Sequence, residues 1–305
     1  MPSIGLCAQL ACIWEASARK PGNVHRLCDF DDVHYLDFLA SAAAIAPVLE
    51  LAQQNPIGQT VVDAVRATRQ VVLSNTNLGI LLLLVPLATA KDYDKGIHEV
   101  LQELTIDDAR AVYEAIRLAQ PGGMGQVPEQ DVRSPPTRTL RELMALAADR
   151  DLVARQYVNG FQQILEEGAP GLLRRLRGAD SLETAIIGCH VELMAAYPDS
   201  LILRKRGPEE AKEASRRARR VLDAGWPETI AGRRALDDLD AWLRALEHAR
   251  NPGTTADLVT ASLFVLLRQG NIDLPLRYPW QSVPEKGSAP LPEARAISQK
   301  NEQGV

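Results

Sequence analysis

Apolar residues recur along this chain at helical spacing, and no run alternates as a half-buried strand would. Between residues 4 and 18, Ile4, Cys7, Leu10, Ala11, Trp14 and Ala18 fall on one stripe and predict a first helix. It stops at Lys20-Pro21-Gly22, because the residue before proline is pushed out of the α region and glycine permits a sharp turn. The loop KPGNVHRLCDFDD ends in Asp31 and Asp32, suited to cap or precede a second helix through Leu36, Leu39, Ala40, Ala43 and Pro47. A third segment through Val61, Val65, Thr68 and Val72 leads into SNTNLG. Residues 78–88 are apolar on all sides and so belong at the centre of the domain, with a kink expected at Pro86.

Further helical patterns cover 106–119, 140–159, 161–167, 182–197, 209–224, 235–249 and 256–269. Residues 121–139 collect proline, glycine and charge without an apolar stripe, which predicts a mobile lid or disorder. After Pro275 the chain turns to Pro, Ser, Glu, Gln and Lys. The expectation is an all-α, single multi-helix domain over 1–274, with buried central helices at 78–88 and 256–267. A Pro-rich, poorly ordered tail over 275–305 would follow it.

Composition narrows the class. With 46% apolar and 24% charged residues the 305-residue chain is of ordinary globular make-up. A net charge of −5 with mixed signs gives no whole-chain footprint for nucleic acid, so any anion site must be local. The start lacks the basic region of a signal peptide and carries Glu15, which reads as a mature first helix. The run 78–88 is about half the ~20 residues that a membrane span needs. Cys7, Cys12, Cys28 and Cys189 form no C-x-x-C pair, which fits a reducing compartment, and the cytoplasm is expected.

Five constellations could carry chemistry. Glu15 followed by Lys20, Pro21, Gly22, Asn23, Val24, His25 and Arg26 gathers cations beside exposed amides, fit for a polyanion or for a plain solvated connection. Asp29, Asp31, Asp32 and Asp37 offer oxygen ligands of the kind Mg²⁺ takes alongside substrate phosphates, or mere helix caps. Ser74 to Gly79 places Asn75, Thr76 and Asn77 at the start of a buried helix, where free amides attract anions. Asn251-Pro252-Gly253-Thr254-Thr255-Ala256-Asp257 reads as a capping box from Thr254 to Asp257, while Gly253 allows close approach of a ligand. Asp199 and the run Arg204-Lys205-Arg206 bring adjacent cations to a loop, able to grip phosphate or to sit in solvent. His25, Cys28 and His34 match no zinc spacing, and GGMG at 122–125 is neither a P-loop nor a dinucleotide fingerprint.

Taken in order, E-x4-KPGNVHR, the acidic helix start with YLDF, NTNLG, PDSLILRKRG and NPGTTADLVTASLF resemble the triphosphoribosyl-dephospho-coenzyme A synthase family over roughly Glu15 to Leu267. The resemblance implies an all-α transferase that moves the triphosphoribosyl unit of ATP to 3′-dephospho-CoA with release of adenine, with Mg²⁺ accompanying ATP. Carried onto this chain, Glu15, Asp37 and Asp257 are the expected catalytic carboxylates, and Asp32, Asp37 and Asp257 the expected metal ligands. The substrates would be held by Lys20, Gly22, Asn23, His25, Arg26, Asn75, Thr76, Asn77, Gly79, Asp199, Arg204, Arg206, Asn251, Gly253 and Thr254. The implied partners are ATP and a nucleotide-like acceptor such as dephospho-CoA, without nucleic acid or membrane and with homo-oligomerisation open. One departure stands out. Members found beside citrate lyase read GGVNTHKG where this chain has Asn77 and Leu78, and the NTNLG form is similar to a branch in methanogens and one-carbon-metabolising bacteria. That leaves two alternatives: ribosyl or phosphoribosyl transfer in making a one-carbon cofactor of the methanopterin or methanofuran kind, or non-catalytic nucleotide binding.

Overall fold

The computed structural model describes residues 2–121, 131–178 and 181–276. The chain divides into two compact units, Met1–Asn271 and Ile272–Val305; the second is described only over 272–276, which form no regular element. The expected tail thus lies almost wholly outside the described residues, as does the central part, 122–130, of the expected mobile segment.

The first unit is helical, as its periodicity predicts. Its helices are α1 (Ile4–Ser17), α2 (Tyr35–Glu50), α3 (Ile57–Val71), α4 (Leu78–Thr89), α5 (Gly96–Gln102), α6 (Ile106–Ala119), α7 (Leu140–Ala145) and α8 (Leu152–Asn159). After a π-helical turn, Gln163–Gly168, come α9 (Ala169–Arg177), α10 (Leu182–Ala196), α11 (Ser200–Arg206), α12 (Pro208–Asp223), α13 (Ile230–Arg244) and α14 (Gly253–Arg268). A short extended segment, Ala245–His248, joins the last two and pairs with no described strand.

α4 and α14 are the core. Both are apolar round most of their circumference and nearly every side chain is buried. α14 packs on α1, α4, the π turn, α9, α10 and α11, while α1, α2, α3 and α6 pack in succession on one another. A second apolar cluster, including Val191, Ala214, Val221, Trp226 and Leu243, holds α10, α12 and α13 together.

Pro86 inside α4 shows how local sequence and packing cooperate. Proline has no N–H, so the carbonyl four residues back, on Leu82, loses its helical partner. The hydroxyl of Tyr157, fully buried on α8, donates to that oxygen at 2.6 Å.

Several sequence expectations are corrected. Residues 140–159 are two helices, because the Asp151 side chain takes the Val153 and Ala154 amides and starts α8 afresh. The 235–249 pattern ends at Arg244, and the cationic PDSLILRKRG stretch is a helix, α11, with Asp199 as its cap. Asp31 and Asp32 do not cap α2: His34 does, in a reciprocal box whose other half is Asp37, which accepts the His34 amide at 2.9 Å. No helix among the described residues is by itself long and apolar enough to cross a membrane.

Candidate active site

The end of α1 and the loop after it form the first wall. Lys20 folds back beneath α1, where its ammonium donates to the Glu15 carbonyl at 2.5 Å and the Ala18 carbonyl at 3.3 Å. A cation there meets the negative end of the helix dipole. It also pairs with Glu15 Oε1 at 3.0 Å, and both side chains are almost completely buried. Burial pushes the Glu15 carboxyl up and the Lys20 ammonium down, each opposed by its partner.

The loop is then tied to the far end of the chain. Gly22 takes φ +74°, and a Cβ there would lie 2.8 Å from Leu243 and 2.9 Å from Pro252. Its amide donates to Asp240 at 2.7 Å, Arg244 donates to the Asn23 carbonyl at 2.6 Å, and the Asn23 amide donates to Asn251 at 2.6 Å. The KPGN turn and the NPG turn are thereby stapled side by side.

The NTNLG turn closes a second wall. Asn75 accepts the Leu78 amide at 3.1 Å, Asn77 donates to Thr68 at 2.9 Å, and Thr76 shares a 2.6 Å hydrogen bond with Ser41 of α2. These polar groups sit where a core helix begins, and each has found a partner, as buried polar groups must. Gly79, in the first turn of α4, faces α14: a Cβ there would fall 2.0 Å from Asp257 Oδ2.

Asp257 is where sequence and structure part. The T-x-x-D pattern suggests a cap, but α14 begins at Gly253, with Pro252 as its N-cap. Asp257 is therefore a full turn inside the helix. The amide and hydroxyl of Thr255 are taken instead by Asp199 Oδ2, at 2.7 and 2.8 Å, while Asp199 Oδ1 caps α11 through Leu201 and Ile202. Asp257 has no hydrogen-bond or ion-pair partner among the described residues. Burial, with Glu15, Asp199 and Asp151 nearby, raises its carboxyl well above the ordinary aspartate range.

Between these walls lies a cavity of about 570 Å³, the size range of a small-molecule site. Of the residues expected from sequence, Glu15, Lys20, Asn23, Asp32, Asn75, Thr76, Asn77, Gly79, Arg204, Asn251, Gly253, Thr254 and Asp257 line it. Gly22, His25, Arg26, Asp37, Asp199 and Arg206 do not. Arg26 turns outward to Glu183, at 2.7 Å, which Arg19 also grips; burial alone would raise the Glu183 carboxyl, yet the two guanidiniums hold it at about 2. His25 is kept neutral, its pKa lowered to about 4 by burial and by Arg244 and Lys20, and it accepts the Leu27 amide at 3.2 Å. Arg206 pairs with Glu210 at 2.7 Å.

The sequence reading missed Arg69, Asp151 and His248, which also face the cavity, as does Lys205 of the expected Arg204-Lys205-Arg206 run. Arg69 ends α3 and donates to the Leu73 carbonyl, Arg204 pairs with Asp151 at 2.9 Å, and Lys205 donates to the His248 carbonyl at 3.3 Å. Asp151 was legible as an acid before an apolar run. Arg69 depends on which way the last turn of α3 faces, which periodicity near a helix end leaves open, and His248 lies in an extended segment where a helical pattern was expected. Among the described residues no three His, Cys, Asp or Glu side chains gather to hold a metal by themselves, so the expected trio Asp32, Asp37 and Asp257 is not assembled.

Arg69, Arg204 and Lys205 at the walls, with helix N-termini among them and Glu15 and Asp257 buried beside them, are groups that can meet a polyanion. The ATP:dephospho-CoA triphosphoribosyl transferase (CitG) family model matches residues 1–273. Curated relatives bearing the name 2-(5′′-triphosphoribosyl)-3′-dephosphocoenzyme-A synthase are 35% identical over 134 residues in Pseudomonas syringae pv. tomato and 34% in Pseudomonas savastanoi pv. phaseolicola. These matches cover 41% of this chain and 45% of each relative, less than half the relatives' length. A solved structure from Archaeoglobus fulgidus, titled a triphosphoribosyl-dephospho-coA synthase, is 29% identical with a TM-score of 0.59, over 76% of this chain and 99% of that one. The order of the motifs, the helical architecture and the family match over nearly the whole described chain lead to one statement: this protein belongs to the ATP:dephospho-CoA triphosphoribosyl transferase (CitG) family.

Proposed function

We propose that this chain transfers the triphosphoribosyl unit of ATP to 3′-dephospho-CoA and releases adenine. The observation that carries the reading is the convergence of the KPGN, NTNLG and NPGTTAD turns on one cavity in which Asp257 has no partner among the described residues. In this reaction the bond from ribose C1′ to N9 of adenine breaks and a bond from C1′ to an acceptor hydroxyl forms. Positive charge develops on the sugar as the base departs, and fixed carboxylates stabilise it. Asp257 and Glu15 are placed for that work. Glu15, whose proton affinity burial raises, takes the proton of the acceptor hydroxyl.

The polyphosphates fall to Arg69, Arg204 and Lys205, and to the Gly79 and Ile80 amides in the first turn of α4, since Asn75 takes only the Leu78 amide and the side chain of the N-cap Asn77 takes none. Mg²⁺ fits this donor set, since it binds through one or two carboxylates together with substrate phosphates. Asp257 would hold it, displacing its own proton, and the ion would neutralise charge on the triphosphate.

The test is direct. Pure protein incubated with Mg²⁺-ATP and dephospho-CoA should yield free adenine and an acceptor heavier by one triphosphoribosyl unit, read by mass. Formation of ADP or pyrophosphate instead would overturn the assignment. A second reading keeps the same donor and changes the acceptor, to a one-carbon cofactor precursor. It is favoured by Asn77 and Leu78, both buried and without the cationic side chain that citrate-lyase-associated members carry there. Adenine release with the alternative acceptor alone would select it.

A further inference from the structure

Adenine is a poor leaving group unless a proton reaches it, and the carboxylates beside Asp257 are assigned above to the sugar and the acceptor. The cavity is also lined by a different set: Phe30, Asp32 and His248. His248 ends the extended segment Ala245–His248, and its backbone is fixed, because its carbonyl accepts from Lys205 at 3.3 Å and from the Asn251 amide at 3.2 Å. The ring Nδ1 lies 3.4 Å from Asp32 Oδ1. Its plane is inclined 60° to the Phe30 ring, with centroids 5.6 Å apart, and the Arg244 guanidinium lies 5.9 Å from the centroid of Phe30.

We propose that His248, oriented by Asp32 and set beside the aromatic face of Phe30, is the acid that protonates the departing adenine. The inference rests on the transferase reading above. A carboxylate on Nδ1 fixes the ring and leaves Nε2 as the nitrogen that exchanges protons; Nε2 has no partner among the described residues. As C1′–N9 breaks, its electron pair stays on the purine, the proton passes from Nε2 to a purine ring nitrogen, and adenine leaves neutral. The imidazole, 37% exposed at the cavity wall, regains its proton from solvent. Phe30 supplies a flat apolar face for the base. Asp32 acts through His248 and is a positioning residue.

The experiment compares His248→Ala, His248→Gln and Asp32→Asn with the wild-type chain in the adenine-release assay. Loss of a general acid should lower kcat by about 10²–10⁴-fold in both His248 variants, with KM for ATP changed by no more than a few-fold. Free imidazole should restore part of the rate to His248→Ala and none to His248→Gln, whose side chain fills the space. Asp32→Asn should lose less and keep its KM. Wild-type kcat in His248→Ala, or a loss that tracks KM and resists imidazole, overturns the proposal. If the wild-type chain releases no adenine at all, the transferase reading itself fails; full activity in His248→Ala beside an active wild type fails this inference alone.

Discussion

Asp257 makes the ligand-free protein less stable than it would otherwise be, and that gives the residue a measurable signature. Its carboxyl is raised by burial and by neighbouring carboxylates. A group whose folded-state pKa lies above its unfolded value contributes stability below the unfolded pKa and loses it as pH rises through the folded one. Asp257→Asn should therefore melt higher than wild type at pH 8, and the gap should close as pH falls towards the ordinary aspartate range. The same variant should lose about 10²-fold or more in turnover, as removal of an electrostatic stabiliser does. A melting curve unchanged at every pH would refute the placement. The Glu15–Lys20 pair behaves differently, because removing one partner strands a buried charge. Lys20→Met should cost about 3–5 kcal/mol, and adding Glu15→Gln should recover much of it, as urea titrations of the single and double variants would reveal.

At the scale of elements, the site depends on contacts that hold helices at a fixed separation. Gly79 lets α4 approach α14 until only the Asp257 carboxylate lies between them. Gly79→Ala gains about 1 kcal/mol of helix propensity and places a methyl where that carboxylate sits. The expected outcome is a fold that melts near the wild-type temperature with turnover largely abolished; retained turnover would mean that Asp257 has room to move. Asp199 joins α11 to the start of α14 through four hydrogen bonds. Its loss in Asp199→Ala should cost about 2–4 kcal/mol, as a buried charged cap leaving several donors unpaired. Hydrogen exchange should accelerate first in α11 and the opening turn of α14. Uniform acceleration throughout the protein would show that the two helices do not depend on this joint.

Over the whole molecule, helical periodicity was enough to read the all-α architecture and the two central helices, since an element apolar on every side has only the interior to go to. The site was legible in part. Turns rich in Asn, Gly and Thr beside buried helices marked three of its walls, because unpaired amides and close backbone approach leave a signature in residue type. Side-chain direction leaves none: Arg204 and Lys205 face the cavity while Arg206 turns away, and Arg26 is drawn off by Glu183, 157 positions further on. Asp37 and Asp257 look alike as acids near helix starts, yet one closes a cap and the other does not, a distinction set by where each helix begins. A cavity with cations on several walls should bind polyphosphate with marked salt dependence. ATP at about 100 times its Kd should raise the unfolding free energy by about 2.7 kcal/mol, and the increment should shrink as salt is added. A salt-independent shift would place the nucleotide elsewhere.

The staple between the first loop and the last turn has a consequence for how the protein is made. Asn23 meets Asn251 across 228 positions and Gly22 meets Asp240 across 218. A chain leaving the ribosome N-terminus first can form local helix pairs such as α1 with α2 early, but α1 also packs on α14. Until residues 240–268 have emerged, the loop that carries Lys20 has nothing to close against, and the face of α1 that packs on α14 stays open even after α2 has docked. Residues 240–268 must be translated before the pocket exists, and nascent chains arrested upstream of Asp240 should be substrates for chaperones that hold apolar helices, with no affinity for nucleotide.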